Sequence, residues 1–214
     1  MAEGKTGRAI TERRLQRMRE VLARRQPDLT VVLENVYHAH NVSAVLRSCD
    51  AAGVLSVHLV YTVEPFPELS ERVSGSALRW LDLIVHPSID ACYQALRTQG
   101  MAIYTTYLGD PATSHDLYEL DLIRPTAFVF GNEQRGVSQD AVAAADGNVV
   151  IPMMGMVRSL NVSVACALAL YEALRQRRRA GHYDRPKLSE AERRARLHRW
   201  LERERRTPPA ELTD

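Results

Sequence analysis

The stretch from Ile151 to Arg175 holds the densest set of residues able to bind a ligand. It reads as an apolar strand end, Val149-Val150-Ile151, then a turn through Pro152 and Gly155, then a helix introduced by Ser159 and Asn161, both good N-cap residues. A strand-to-helix turn leaves backbone N–H groups without partners, and such donors suit a polar ligand at the mouth of an α/β sheet. Val162, Ala165, Leu168, Ala169 and Tyr171 recur near helical spacing, so the helix buries one face. A capped core helix without any ligand satisfies the same pattern. Other candidate chemistry is weaker. His38 and His40 have no Cys or carboxylate cluster beside them, and no metal is expected. Cys49, Cys92 and Cys166 are far apart and odd in number, which reads as reduced, structural thiols. Gly4-Lys5-Thr6 lacks the earlier glycine and the preceding strand of a phosphate loop, and no GxGxxG follows a strand.

The elements that would position these residues alternate along the chain. A helix begins at the cap Thr11, with Leu15, Met18, Val21 and Leu22 facing inward and Arg13, Arg14, Arg17, Arg24 and Arg25 mostly exposed. Pro27 ends it, and Thr30 to Leu33 is a buried strand. Asn41 is placed to cap a helix carrying Val42, Val45, Leu46 and Arg47. Strands follow at residues 55–61 and 81–85, separated by a long loop around Pro65-Phe66-Pro67 and Ser74-Gly75-Ser76. A helix from Pro87 closes at Gly100, strands occupy residues 101–107 and 126–130, and a helix spans residues 138–145. A second basic helix covers residues 189–206, and Pro208-Pro209 opens a tail. Strands alternating with helices imply an α/β fold with a mostly parallel sheet.

Three segments, in order, carry a resemblance. His40-Asn41-Val42-Ser43-Ala44-Val45-Leu46-Arg47, Phe130-Gly131-Asn132-Glu133-Gln134-Arg135-Gly136-Val137 and Ser159-Leu160-Asn161-Val162-Ser163-Val164-Ala165 resemble the signature motifs of the SPOUT class of RNA methyltransferases, in the SpoU/TrmH family. The resemblance implies a SPOUT fold with a C-terminal trefoil knot and S-adenosylmethionine as cofactor. It also implies a homodimer that methylates the ribose 2′-hydroxyl of guanosine 18 in the tRNA D-loop. Carried over by position, it implies Arg47, Asn41, Glu133, Ser159 and Asn161 as catalytic residues. Arg47 matches the family's essential arginine, either as the base or as a group that binds phosphate and stabilises the alkoxide; Asn41 and Asn161 match positions that orient it and the neighbouring loops. Thr106, Leu108, Gly131, Gly136, Ile151, Met156, Ser159 and Leu160 fall in the loops that hold the cofactor. Arg158 and Ala39 depart from the glutamine and proline common in the family.

Charge adds a reading independent of family. The 214 residues carry a net +2 with 45% hydrophobic content, but residues 1–25 carry +5, residues 26–174 carry −9, residues 175–206 carry +8 and residues 207–214 carry −2. The expected division is accordingly a basic N-terminal arm (1–25), a methyltransferase core (26–174), a basic C-terminal helical extension (175–206) and a tail (207–214). Two basic ends around an acidic core favour a polyanionic partner held by the ends, with Arg13, Arg14, Arg17, Arg25, His40, Arg175, Arg177 and Arg178 as RNA contacts. No run of about 18 apolar residues is present, so a soluble, cytoplasmic protein without membrane contact is expected. Two alternatives remain beside tRNA methylation: ribosomal RNA methylation by the same class of enzyme, and an RNA-binding protein without catalysis.

Overall fold

The run Leu29-Thr30-Val31-Val32-Leu33 lacks any alternation of apolar and polar residues. In the computed structural model it lies inside a sheet covered on both faces, and all six residues of the strand Leu29–Glu34 are buried. The structure describes residues 8–69, 77–107, 109, 114–204 and 206–207. In chain order the elements are β1 (Arg8–Ala9), α1 (Glu12–Ala23), β2 (Leu29–Glu34), α2 (Ala39–Ala52), β3 (Ser56–Val60), β4 (Asp82–His86), α3 (Ile89–Thr98), β5 (Ala102–Thr105) and β6 (His115–Asp116). They continue with β7 (Thr126–Phe130), α4 (Gln139–Ala144), β8 (Gly147–Val150), α5 (Val162–Arg179), α6 (Glu190–Arg203) and β9 (Arg206–Thr207).

Two compact units result: Gln26–Ala180, and a second made of Met1–Arg25 with Gly181–Asp214. The division expected after residue 174 falls inside α5, which continues unbroken to Arg179. The larger unit is an α/β sheet of seven parallel strands in the order β4-β3-β2-β7-β5-β8-β6. Strand pleating splits its apolar residues between two cores. On one face Val31, Leu33, Val57 and Leu59 pack with Val42, Val45 and Leu46 of α2 and with Cys166, Ala169 and Leu170 of α5. On the other, Val32, Val60 and Val129 pack with Cys92, Tyr93 and Leu96 of α3 and Ala141 of α4.

Helix ends follow their caps, with one correction. α2 starts at Ala39 behind His38, which gives no side-chain cap, so Asn41 sits inside the first turn and does not cap it. Asn161 does cap α5, its side chain accepting from the Ser163 N–H. None of the described helices is long and apolar enough to cross a membrane. The long-loop expectation is met only in part: residues 70–76, which include Ser74-Gly75-Ser76, lie outside the described residues.

In the smaller unit α1 and α6 are in contact, and β1 and β9 form a short parallel pair. Leu15, Met18 and Leu22 of α1 and Leu197, Trp200 and Leu201 of α6 are buried. A reciprocal capping box between Ser189 and Glu192 starts α6, and Arg14 pairs with Glu204. Arg25 corrects the sequence expectation. It is buried, with its guanidinium 5.4 Å from the Trp200 ring centroid. A cation held over an indole is a packing element, not a surface phosphate contact.

Arg177 is a second correction. Its side chain is 0% exposed. Nε donates to the Leu122 carbonyl at 2.8 Å, Nη1 to Asp28 Oδ1 at 2.7 Å and Gln26 Oε1 at 3.5 Å, and Nη2 to the carbonyls of Asp28 at 2.9 Å and Arg124 at 2.7 Å. The planar fork thus uses its donors to fasten the end of α5 to the segments that lead into β2 and β7. Removing one member of a buried pair leaves the other charged and unpaired, a loss of about 3–5 kcal/mol. Arg177→Leu is expected to lower unfolding stability in urea by about that amount, whereas exposed Arg178→Ala should change it by less than about 0.5 kcal/mol.

Candidate active site

One carboxylate gathers the three polar motifs. Glu133 Oε2 accepts the Tyr37 N–H at 2.9 Å, and Oε1 accepts the His38 N–H at 3.1 Å and Asn41 Nδ2 at 2.8 Å. The donors come from the start of α2, where unpaired N–H groups favour an anion. Partial burial works to raise the pKa of Glu133, but the bonds from Asn41 and from the backbone outweigh it and hold the carboxyl below its ordinary range. Asn41 Oδ1 in turn accepts Asn161 Nδ2 at 3.0 Å, and Asn161 Oδ1 accepts Ser163 Oγ at 2.6 Å. The chain Glu133–Asn41–Asn161 therefore joins the β7 loop, α2 and the start of α5.

Glycine chemistry shapes the second motif. A Cβ on Gly131 would lie 2.2 Å from the carbonyl of Gly136 and 2.3 Å from the Val137 nitrogen, so any side chain there displaces backbone. Gly136 has φ of 71°, and its N–H donates to the Asn132 carbonyl at 2.8 Å. The loop closes on itself, and this closure, not ligand approach, requires glycine at 131. Gly155 meets no such demand, since a Cβ there would find no heavy atom within 4 Å.

Around this hub lies a cavity of about 520 Å³ at the C-terminal ends of β5, β7 and β8. Its apolar wall includes Leu117, Phe130, Ile151, Ala165 and Ala169, and its polar wall includes Glu133, Ser159 and Asn161. A crevice beyond the carboxyl ends of parallel strands is where ligands bind in open α/β sheets.

Of the cofactor-loop residues expected from the sequence, Thr106, Gly131, Gly136, Ile151, Ser159 and Leu160 line this cavity. Met156 does not, and it is 98% exposed. Leu108 lies outside the described residues. Arg158, the departure from glutamine, is also on the wall. Asn41, Glu133 and Asn161 are brought together, but Arg47 is not joined to them. It is exposed on α2, one face with His40 two turns earlier, and it makes no hydrogen bond or ion pair with a described residue. Asn41 and Asn161 bond to one another and Asn41 bonds to Glu133, which ties together the loops beside Arg47, and neither asparagine bonds Arg47 itself.

Several supporting residues were not found from the sequence. Asn148 Oδ1 accepts the Tyr107 N–H at 2.8 Å while Nδ2 donates to the Tyr107 carbonyl at 2.8 Å and Ser114 Oγ at 2.8 Å, fixing the loop after β5. Asn35, with φ of 51°, accepts from the N–H groups of Thr62, Val63 and Glu64, and its carbonyl takes Asn132 Nδ2 at 2.9 Å. A polar residue inside the apolar strand Gly147–Val150, and an asparagine directly after a buried strand, were the available signals.

Comparison with known proteins places this geometry. The SpoU rRNA Methylase family is matched over residues 28–171. The tRNA (guanosine(18)-2'-O)-methyltransferase of Thermus thermophilus is 51% identical over 181 residues, 85% of this chain and 92% of that protein. The crystal structure of the A. aeolicus TrmH/SpoU tRNA modifying enzyme has a TM-score of 0.83 at 40% identity, covering 89% of this chain and 96% of the other. That of the SpoU methyltransferase AviRb from Streptomyces viridochromogenes, in complex with the cofactor AdoMet, has a TM-score of 0.62 at 25% identity, covering 74% and 61%. With motifs one to three meeting around a single carboxylate, and the match spanning that whole region, the chain belongs to the SpoU methylase family.

Proposed function

We propose that the chain transfers a methyl group from S-adenosylmethionine to the ribose 2′-oxygen of guanosine 18 in the D-loop of tRNA. The observation that carries this reading is the 51% identity to a relative of that name, over 92% of its length, together with the Glu133–Asn41–Asn161 hub. The family takes its name from rRNA methylation, but so high an identity over nearly the whole relative favours tRNA. The test is transfer of labelled methyl to mixed tRNA and, in parallel, to ribosomal RNA, followed by nucleoside analysis of each. Label in 2′-O-methylguanosine is expected, and label confined to ribosomal RNA would overturn the reading.

The cavity fits the cofactor on two counts. Its volume of about 520 Å³ is within the range of cofactor sites, and its lining combines apolar side chains with a few polar ones. Thr106, Gly131, Ile151 and Leu160 would hold the cofactor, which supplies an electrophilic methyl group when bound. Ser159 on the polar wall is placed to bond near the reacting hydroxyl. Arg47 is assigned to the RNA side: arginine stays cationic in proteins, so its role is to clamp the neighbouring phosphate and stabilise the alkoxide, not to abstract the proton. The homodimer belongs to the same reading. Val164, Leu168 and Tyr171 form an apolar stripe on α5 at 47%, 37% and 52% exposure, a surface suited to a second copy. The trefoil knot implied by the resemblance and a cytoplasmic location, where tRNA is found, complete it.

Arg47→Ala is expected to reduce turnover by about 10²–10³-fold with cofactor affinity unchanged. Arg47→Lys should fail nearly as badly, because an ammonium cannot reproduce the planar fork; near-normal turnover of the lysine variant would remove arginine from this role.

Glu133→Gln should lower stability by about 1–3 kcal/mol by putting an amide against N–H donors, and should weaken cofactor binding in calorimetry. The pH dependence has a definite sign. Because the folded-state value of Glu133 lies below the ordinary 4.5, its contribution is complete above that value and is lost as pH falls through the lowered one. The glutamine variant should therefore show a flatter loss of stability in acid.

The basic faces give a separate expectation. Arg13, Arg14 and Arg17 are exposed on α1, and Arg175 and Arg178 on α5, Arg175 bonded to Glu172 at 2.8 and 2.6 Å. Neutralising Arg13, Arg14 and Arg17 together should weaken tRNA binding and reduce the salt slope by roughly one unit for each lost phosphate contact. Replacing Arg175 and Arg178 should act likewise, with cofactor affinity unchanged. Unaltered salt slopes in both sets would show these helices to be ordinary solvated faces.

A further inference from the structure

Three residues outside the cavity form a polar cluster inside an apolar core. His58 of β3 is 1% exposed, where the strand pattern calls for another valine or leucine. In register it lies opposite Ile84, and His86 lies opposite Val60, so both imidazoles stand on the sheet face that α3 covers with Cys92. His58 Nδ1 meets His86 Nε2 at 2.8 Å, with the ring planes 10° apart and the centroids separated by 5.0 Å. His58 Nε2 is buried and has no hydrogen-bond partner among the described residues. Cys92 is a buried free thiol. One donor atom from each of the three residues lies within 4.8 Å of the other two.

A buried, unpaired imidazole nitrogen is costly, and an apolar side chain would remove that cost. Two imidazoles and a thiolate are the donors preferred by zinc-class divalent ions; magnesium and calcium take oxygen ligands instead. In tetrahedral coordination, bonds of about 2.1 Å to nitrogen and 2.3 Å to sulfur put ligand atoms roughly 3.4–3.7 Å apart. The imidazole pair must therefore open by about half an ångström, and the thiol must close by about one at most. These are side-chain adjustments.

We propose that His58, His86 and Cys92 constitute a binding site for a zinc-class divalent ion, separate from the methyl-transfer cavity and structural in role. On binding, the hydrogen bond between the imidazoles breaks, the proton it held moves to the other nitrogen of the donor ring, and His58 Nδ1 and His86 Nε2 each turn a lone pair to the ion. The Cys92 thiol releases its proton to water and binds as thiolate. His86, only half-buried, lies on the side open to a fourth ligand from solvent. The ion would tie edge strand β4 and helix α3 to β3.

The test uses full-length protein stripped with chelator and titrated with Co²⁺, then Zn²⁺. One equivalent of cobalt should produce a thiolate-to-metal charge-transfer band, which zinc then abolishes, and zinc should raise the unfolding temperature. Cys92→Ala should eliminate the band, and His86→Ala, at a half-buried position, should weaken binding by about tenfold or more. Cys49→Ala should leave the band intact. Absence of the band in the parent protein, its persistence in folded Cys92→Ala, or unchanged affinity in His86→Ala would overturn the proposal. If Cys92→Ala does not fold, the His86→Ala affinity decides.

Discussion

The Glu133 carboxylate is the interaction on which the arrangement of the site depends. It takes two backbone N–H groups at the start of α2 and one amide from Asn41, and Asn41 passes the constraint to the cap of α5. An ionised acceptor at a helix N-terminus forms stronger hydrogen bonds than a neutral one and fixes their direction. Three segments that have no covalent reason to meet are thereby set against one cavity. The Gly131–Gly136 closure supplies the other half of this geometry, since it determines where the Glu133 side chain begins.

Charge has two distinct uses in this chain. Arg25 and Arg177 are buried structural cations, one over an indole and one saturated by carbonyls and Asp28. Arg13, Arg17 and Arg178 are solvent-facing. A count along the sequence treats all five alike, because the guanidinium group is the same. What separates them is whether five donors can be satisfied by protein, and that depends on chain segments brought together by the fold.

Most strands and helices were legible from the sequence because their signals are local: apolar runs, proline breaks and glycine stops. Element ends were legible where the cap is local, as at Thr11 and Asn161. Asn41 was misread as a cap because its actual partners are Glu133 and Asn161, 92 and 120 residues away. Asn148 and the His58, His86 and Cys92 cluster were hidden for the same reason: their partners are assembled by strand register, which no spacing rule anticipates. The two-residue strands β1, β6 and β9 carry too few residues to show a period. The three motifs identified the site region by family likeness, and the structure supplied the bonds that explain their order.

The strand order has a consequence for how the molecule comes into being. β2, β3 and β4 are neighbours in both sequence and space, so a three-stranded sheet can form once residue 86 has been made. β5 has no such neighbour. It is separated from β2 by the slot that β7 fills, and β7 follows it in the chain. The middle of the sheet must therefore stay open until residues 126–130 arrive, and β8 can dock only after that. Pairings of this kind are long in sequence separation and slow to form. During synthesis the walls of the cavity are consequently the last parts of the sheet to be assembled, and a partly made chain has a structured edge before it has anywhere to bind a ligand.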